Sequence, residues 1–337
     1  KTHGPQSAVL PPRAAIRPAQ NTMPSLSSSL ILTYLSSGVM PIIKLAMKLG
    51  RKTGLSRAKE FPVSKFLRYR KNGHIVTLTM NEPDSMNALS GPDQYADFEK
   101  YCSRINQDYD VRCVILTGAG RAFSAGGNVK AMQERNRKGQ PPSVVIRDWY
   151  KNGIQRIPMA FYNLEVPTIA AVNGAATGAG CDLTCMADIR IASTYARFAE
   201  TFVKIGISPG DGGAYFLPRV ISNSNAAEMV FTGELINADK ALEIGLVSKV
   251  VEPKDLMKEA KSLAERIADN PPHALRLSKK LLRESSNSNM QQLLELSAVY
   301  NAMLQHTEDH RDRVDDLVSR ISSKTKSKRK PKKKVKK

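Results

Sequence analysis

The sequence predicts an α/β fold whose C-terminal part is mostly helical. Strand-like apolar runs alternate with helix-like segments through the middle of the chain, and only helical spacing continues after them. The most informative strand is Ile169-Ala170-Ala171-Val172, which a glycine-rich turn joins to an apolar helical segment. This alternation is typical of a sheet covered by helices.

Charge divides the 337 residues into predicted parts. The net charge is +20, but residues 1–73 hold 13 basic residues against one acid, and residues 324–337 hold ten basic residues and no acid. The rest of the chain holds 28 basic and 30 acidic residues, which is ordinary for a globular domain. We therefore expect four parts: a basic extension over 1–62, an α/β core over 63–265, a helical region over 266–322 and a disordered Lys-rich tail over 323–337.

The basic extension resembles a mitochondrial presequence in composition, because it has no acid before Glu60 and carries scattered Arg, Lys and Ser. Gly38, Pro41 and Lys44 interrupt its apolar stretch, so no run reaches the roughly 18 residues of a membrane span. We expect a protein of the mitochondrial matrix without a transmembrane span. A cytoplasmic protein with a disordered basic extension, or a segment lying on a membrane, is the alternative.

The predicted core opens with a hairpin. Its strands are Phe66–Arg70 and Ile75–Thr79, and the turn is at Lys71-Asn72-Gly73, because Asn-Gly between two strand-like runs favours a tight turn. A helix over Tyr95–Ile105 precedes a buried strand over Val111–Thr117. Further helices are predicted by apolar spacing at Ala226–Phe231, Ala238–Ile244, Leu256–Ile267, Ala274–Leu282 and Met290–Leu304.

A glycine-rich turn, Gly174 to Gly180, precedes the helical segment that carries Asp182, and a strand over Asp188–Ala192 follows. Glycines let backbone N–H groups approach a ligand at a helix N-terminus, where donors are unpaired and the dipole favours negative charge. Donors for an oxyanion beside an acid/base group suit enolate or acyl chemistry. Asp182 is therefore a candidate for proton transfer, with helix capping as the alternative.

Metal, disulfide and dinucleotide sites are not predicted. The four cysteines are too few for a disulfide framework in a chain of this length, and reduced thiols fit a cytosol or an organelle matrix. Cys181 and Cys185 are four residues apart, yet no His lies near them, so buried small residues are the better interpretation. No Walker A or GxGxxG fingerprint appears.

Several ordered blocks carry a family resemblance. They are residues 169–193, Gly118–Lys130, Asn81–Pro83 with Asn87–Leu89, Gly206–Gly213, Phe231–Gly233 and Gly245–Val247. Along the chain these blocks come in the order of the crotonase (enoyl-CoA hydratase/isomerase) superfamily, which the sequence resembles over roughly residues 64–320. The resemblance implies a spiral of ββα units with a helical C-terminal trimerisation region, and assembly as a homotrimer or hexamer.

The resemblance also implies a site for an acyl-CoA thioester. Its carbonyl oxygen would lie between the backbone N–H groups of Gly127 and Ala179. The two acids of family hydratases map to Asp182 and to Phe202, and a phenylalanine cannot transfer a proton. Asp211, on a loop that borders the pocket in the family, is either a second catalytic acid or a turn and capping residue.

Glu200 lies two residues before Phe202, and on an extended segment their side chains would share a face. We expect it to be a surface or salt-bridged acid. The predicted CoA contacts are Met86, Ala125, Gly127, Asn128, Val129, Lys130 and Arg320. By resemblance, Arg320 reaches the CoA bound to a neighbouring subunit. CoA is part of the substrate, and no metal or redox cofactor is expected.

The resemblance therefore implies an enzyme that transforms acyl-CoA in fatty-acid or branched-chain breakdown. It would be a double-bond isomerase, or a hydratase variant that uses Asp182 and Asp211. The alternative is a non-catalytic interaction protein that keeps the fold and binds nucleic acid or an anionic surface through its tail. The tail has no aromatic residue for base stacking, so nucleic acid is not an expected partner.

Overall fold

The computed structural model describes residues 66–328, and side chains as far as residue 322. The predicted extension over 1–62 lies outside the described residues, as does the end of the Lys-rich tail. The described strands are β1 (Leu67–Asn72), β2 (Ile75–Met80), β3 (Cys113–Gly118), β4 (Ala122–Ser124), β5 (Thr168–Val172), β6 (Ala175–Thr177), β7 (Ile189–Ser193), β8 (Arg197–Ala199), β9 (Ile236–Asn237) and β10 (Lys249–Val251).

The helices cover the sheets and then continue alone to the end of the described chain, so the predicted α/β class with a helical C-terminal part is confirmed. They are α1 (Pro92–Gln107), α2 (Val129–Lys138), α3 (Ser143–Asn152), α4 (Arg156–Tyr162), α5 (Ala179–Met186), α6 (Gly213–Val220), α7 (Asn223–Thr232), α8 (Ala238–Glu243), α9 (Leu256–Ala268), α10 (Pro272–Glu284), α11 (Met290–Gln305) and α12 (Glu308–Lys328). None of the helices within residues 66–328 has the length and apolar run needed to cross a membrane.

Two sheets organise these strands. The larger has the order β1-β2-β3-β5-β7-β10, with β1 antiparallel to β2 and the other pairs parallel. The smaller has the order β4-β6-β8-β9, and only its β8–β9 pair is antiparallel. In the N-terminal hairpin Asn72 pairs with Ile75, so the turn is Gly73-His74, one residue later than predicted. Gly73 takes the left-handed backbone of that turn, with φ +55°.

The larger sheet has a hydrophobic core on each face, because alternate side chains of a strand point to opposite sides. In β3, Val114 and Leu116 belong to the main core, and Cys113 and Ile115 pack on the other face against α9. Both faces are covered, which explains why β3 and β5 are continuously apolar in sequence.

Three differences from the sequence predictions bear on the site or the tail. The helices α2 to α4, which the sequence analysis did not predict, fill the segment between β4 and β5. Residues Thr201–Ile205 form a 3-10 helix, so the segment expected to be extended is wound. Helix α12 runs to Lys328, so the first residues of the predicted disordered tail are helical.

Candidate active site

Two glycine turns meet at backbone contact and form the base of the site. The first follows β4 and contains Gly126, and the second leads from β6 into α5 and contains Gly180. A Cβ on Gly126, whose φ is +75°, would lie 2.4 Å from the carbonyl oxygen of Thr177, and a Cβ on Gly180 would lie 2.1 Å from that of Ser124. The glycines therefore let the two turns interlock, in addition to any ligand they admit.

The interlocked turns place two backbone donors at one cavity. Ala179 is the first residue of α5, so its N–H has no partner within the helix. Gly127 lies between β4 and α2. Among the described residues, no backbone carbonyl accepts either N–H, and both residues line the same cavity. The geometry thus places at one cavity the two donors that the resemblance predicted.

The cavity has a volume of about 590 Å³ and walls that are mostly apolar. Helices α1, α2, α3 and the 3-10 helix supply these walls. Its larger aromatic and aliphatic lining residues are Leu89, Tyr95, Val129, Met132, Ile146, Trp149, Tyr150, Ile154, Phe202, Ile205 and Ile207. A cavity of this kind suits an apolar acyl group beside the two polar donors.

Asp211 is the acid that lines the cavity. It precedes α6, and two contacts to the neighbouring Gly210 hold its loop in place. The Tyr150 ring packs against Gly210, where a Cβ would lie 2.8 Å from Cε1, and Gln155 Nε2 donates to the Gly210 carbonyl oxygen at 3.0 Å. Asp211 is 8% exposed, and burial raises the pKa of its carboxyl to about 6.

The alternative role of Asp211 as a helix cap is not seen, because no side chain caps the N-terminus of α6. Its Oδ1 is buried without a hydrogen-bond partner among the described residues. A buried carboxyl oxygen that lacks a hydrogen-bond partner and borders a cavity is available to a ligand.

Phe202 and Glu200 point into different surroundings. The Phe202 ring lines the cavity and is 7% exposed. Glu200 is fully buried, so the prediction of a surface or salt-bridged acid is wrong. The physical reason is its place between β8 and the 3-10 helix, where its neighbours Ala199 and Phe202 are buried as well.

Asp182 is also fully buried and is not part of the cavity lining. Its carboxyl group lies within hydrogen-bonding reach of Glu200 on one side and against the Cα of Gly213 on the other. Burial raises the pKa of Asp182 well above its usual value, and the charges of Glu200 and Asp211 raise it further. Its oxygens receive no donor from the described residues, so the capping role is not seen here either.

The metal prediction can be compared with the described residues only. Within residues 66–328, no group of three or more His, Cys, Asp and Glu side chains is arranged to hold a metal ion. The four cysteines are free and buried. Among the described residues, the acids near the cavity are therefore not arranged as the ligands of a metal ion.

Of the seven residues expected to bind CoA, four line the cavity and three do not. Four of them line the cavity: Ala125, Gly127, Asn128 and Val129. Met86 lies beside them, since its carbonyl oxygen accepts the N–H of Ala125 at 2.9 Å, and Lys130 is exposed on α2. Arg320 is on α12 within 3.9 Å of Asp316 and is 74% exposed. Its predicted contact with a neighbouring subunit stays a prediction.

The cavity walls formed by α2 and α3 were not predicted from the sequence. The signals are nevertheless visible: the Asn128 side chain accepts the Ala131 N–H at 3.1 Å and caps α2, and Asn is a favoured N-cap residue. Ile146, Trp149 and Tyr150 recur at the spacing of one helix face. The many charged residues of α2 make its apolar periodicity hard to recognise in the sequence, because only a few apolar side chains of this helix face the cavity.

Comparisons with known proteins agree with this geometry. Residues 70–328 match the family described as Enoyl-CoA hydratase/isomerase. A short-chain-enoyl-CoA hydratase of Clostridium acetobutylicum is 38% identical over 72% of this chain and 90% of its own length. A 1,2-epoxyphenylacetyl-CoA isomerase of Escherichia coli is 31% identical over 71% and 90%. The crystal structure of an enoyl-CoA hydratase from Mycobacterium smegmatis is similar with a TM-score of 0.70 and 29% identity, over 76% of this chain and 96% of that one.

Proposed function

Because the chain belongs to the enoyl-CoA hydratase/isomerase family, we propose that it shifts the carbon–carbon double bond of an enoyl-CoA thioester. Family membership confirms the resemblance to crotonases, the crotonase fold and the expectation of an enzyme that transforms acyl-CoA. The non-catalytic alternative is therefore not supported. The choice of isomerisation over hydration is the proposal.

One observation supports this choice: among the residues that the structure describes, a single acid, Asp211, lines the cavity that contains the two backbone donors. Hydration by two acids needs a second carboxylate facing the substrate, and Phe202 occupies the place where family hydratases have one. Moving a double bond needs only one group, which takes a proton from one carbon and returns it to another.

In the proposed reaction the thioester carbonyl oxygen accepts hydrogen bonds from the N–H groups of Gly127 and Ala179. Asp211 removes a proton from the carbon next to the carbonyl, and the electron pair of the broken C–H bond forms the enolate. The two donors stabilise the negative charge on the oxygen. Asp211 then returns the proton to the far end of the conjugated system, so the double bond moves and no cofactor enters the balance.

The proposal is tested by measuring isomerisation of a 3-enoyl-CoA and hydration of crotonyl-CoA by the same enzyme. We expect the wild type to isomerise faster than it hydrates, and Asp211→Asn to lose about 10²- to 10⁴-fold in rate, the usual contribution of a general base. Asp182→Asn is measured alongside, since Asp182 is the other acid proposed from the sequence. Faster hydration by the wild type would overturn the isomerase proposal.

Hydration is the second candidate, and one observation favours it. The Clostridium acetobutylicum relative is named a short-chain-enoyl-CoA hydratase and is 38% identical. A hydratase built on these residues would use Asp211 as its cavity acid. Phe202→Glu should then raise the hydration rate by restoring the second carboxylate, and no gain in this variant would count against the mapped position.

We also propose that the enzyme assembles through its C-terminal helices. Apolar side chains of α11 and α12 are exposed on a single chain: Met290, Leu294, Val299, Met303, Val314, Leu317, Val318 and Ile321. Exposed apolar surface of this extent is typical of an interface between subunits. Light scattering on the purified protein should give a trimer or hexamer mass, and Leu317→Asp should lower it. A monomeric wild type would overturn the proposal.

For location we propose the mitochondrial matrix, which the acid-poor residues 1–62 support by composition. A role in fatty-acid β-oxidation is proposed with it. A fluorescent fusion of the full chain should enter mitochondria, and removal of residues 1–62 should leave it in the cytoplasm. Cytoplasmic location of the full chain would favour the alternative.

A further inference from the structure

Behind the cavity wall, the carboxyl groups of Asp182 and Glu200 meet inside the protein. Asp182 is on α5, and Glu200 follows β8. Both residues are fully buried, and all four of their carboxyl oxygens are buried without a donor from the described residues. Two ionised carboxylates have no proton to share, whereas one protonated carboxyl can donate to the other.

Within residues 66–328, the charged and titratable groups that act on this pair include no cation. Those that act on Asp182 are Glu200, Asp211 and Cys185, and those that act on Glu200 are Asp182, Asp211 and Cys181. Every one of them is acidic or neutral. Two adjacent negative charges in such surroundings repel each other and lose their hydration without compensation.

The pair also lies directly behind the turn that carries Asp211. The Asp182 carboxyl touches the Cα of Gly213, two residues after Asp211 in the chain, where a Cβ would lie 2.1 Å from Oδ1. A hydrogen bond from Asp182 to Glu200 fixes the direction of the Asp182 carboxyl. That direction in turn sets the space available to the first residue of α6.

We propose that Asp182 and Glu200 hold one proton between them, with Asp182 as donor, and that Glu200 is thereby a positioning residue for the turn of the catalytic Asp211. The role for Asp211 rests on the proposed function, but the shared proton does not. Burial raises the pKa of Glu200 to about 7 and that of Asp182 well above its usual value, which agrees with one retained proton near neutral pH.

Infrared spectroscopy of the full-length protein tests the shared proton without any substrate. The C=O stretch of a protonated carboxyl is followed from pH 5 to 9 in an Asp211→Asn background, so that this third acid does not contribute. We expect the band to be present at pH 7.5. In Glu200→Gln the band should disappear at a pH at least about one unit lower, because an amide donor replaces the like charge beside Asp182. No band at pH 7.5, or a band that Glu200→Gln leaves in place, would overturn the shared proton.

The positioning role is tested by kinetics with Asp211 intact. Glu200→Ala removes the partner of Asp182, and we expect kcat to fall about tenfold with little change in KM, because the substrate does not touch Glu200. Glu200→Gln keeps a hydrogen-bonding group of the same shape and should restore most of kcat. Equal loss in both variants, or wild-type kcat in Glu200→Ala, would overturn the role.

The two failures are distinguishable. If the protein turned over no enoyl-CoA, the proposed function would fail, while the infrared band would still report the shared proton. If turnover were normal and the band absent, only the inference about Asp182 and Glu200 would fail. Circular dichroism on each variant shows that the comparison is made between folded proteins.

Discussion

Gly213 and Asp182 are in direct contact: a Cβ placed on Gly213 would lie 2.1 Å from Oδ1 and 2.8 Å from Cγ of the carboxyl group. The first residue of α6 is thus a glycine because a buried side chain of α5 occupies the place of a larger one. This contact couples the fully buried acid to the loop of Asp211.

Gly213→Ala should therefore destabilise the protein by about 1–3 kcal/mol, the usual cost of overpacking. Urea unfolding measures it. In an Asp182→Ala background the same change should cost little, since the clashing carboxyl is gone. Ala214→Ser, at the next and exposed position of α6, is the matched control. An equal cost of Gly213→Ala in both backgrounds would show that the clash is not with Asp182.

The interlocked turns predict a large effect at Gly126. Gly126→Ala would push a Cβ to 2.4 Å from the Thr177 carbonyl oxygen and 2.9 Å from the Ala179 nitrogen, which displaces one of the two proposed donors. We expect kcat to fall about 10²- to 10³-fold, as for loss of an oxyanion donor. Gly206→Ala is the control, because its φ of +73° matches the +75° of Gly126 but nothing lies within 4 Å of the added Cβ. Similar losses in both variants would mean that backbone strain alone is responsible.

An ion pair between a buried lysine and a solvent-accessible aspartate holds α10 against the larger sheet. Lys279 is 4% exposed, its Nζ lies 2.6 Å from Asp188 Oδ2, and it donates to the Val166 carbonyl oxygen at 2.7 Å. Asp188→Asn leaves the buried lysine without its counter-charge and should cost about 1–3 kcal/mol in the free energy of unfolding. Glu243→Gln, which breaks the exposed pair with Lys240, should have a much smaller effect. A small effect of Asp188→Asn would contradict this account.

The fold was predictable where apolar periodicity is strong. The strand over Ile169–Val172 and the helix over Leu256–Ile267 agree with β5 and α9 to within one residue at each end. The two proposed donors, Gly127 and Ala179, were assigned through the family resemblance of their glycine-rich turns, and both residues line the cavity. The surroundings of Glu200 were not predictable, since Asp182, which its carboxyl meets, belongs to another element of the fold. Which elements close over the cavity is a tertiary property that no local pattern contains.

The raised pKa values of the buried acids predict how stability depends on pH. An unfolded Glu titrates near 4.5, whereas burial raises the pKa of Glu200 to about 7 in the folded protein. The folded state therefore binds more protons between these values, and its stability falls as the pH rises through 7. Glu200→Gln should be more stable than the wild type at pH 8 and should lose this advantage near pH 5. Parallel curves of Tm against pH for the two proteins would contradict the assignment.

The pKa of Asp211 predicts the pH dependence of turnover. A general base acts in its ionised form, and burial raises the pKa of Asp211 from 3.8 to about 6. The value of kcat/KM for the 3-enoyl-CoA should therefore rise with pH, with an apparent pKa near 6, and then level off. Asp211→Asn should remove this rise together with most of the activity, while Asp148→Asn, at an exposed acid of α3, should keep both. A rise of kcat/KM centred near pH 4 would mean that the base is a solvent-exposed acid. A rise near pH 6 that persists in Asp211→Asn would instead assign the role of base to the buried pair of Asp182 and Glu200.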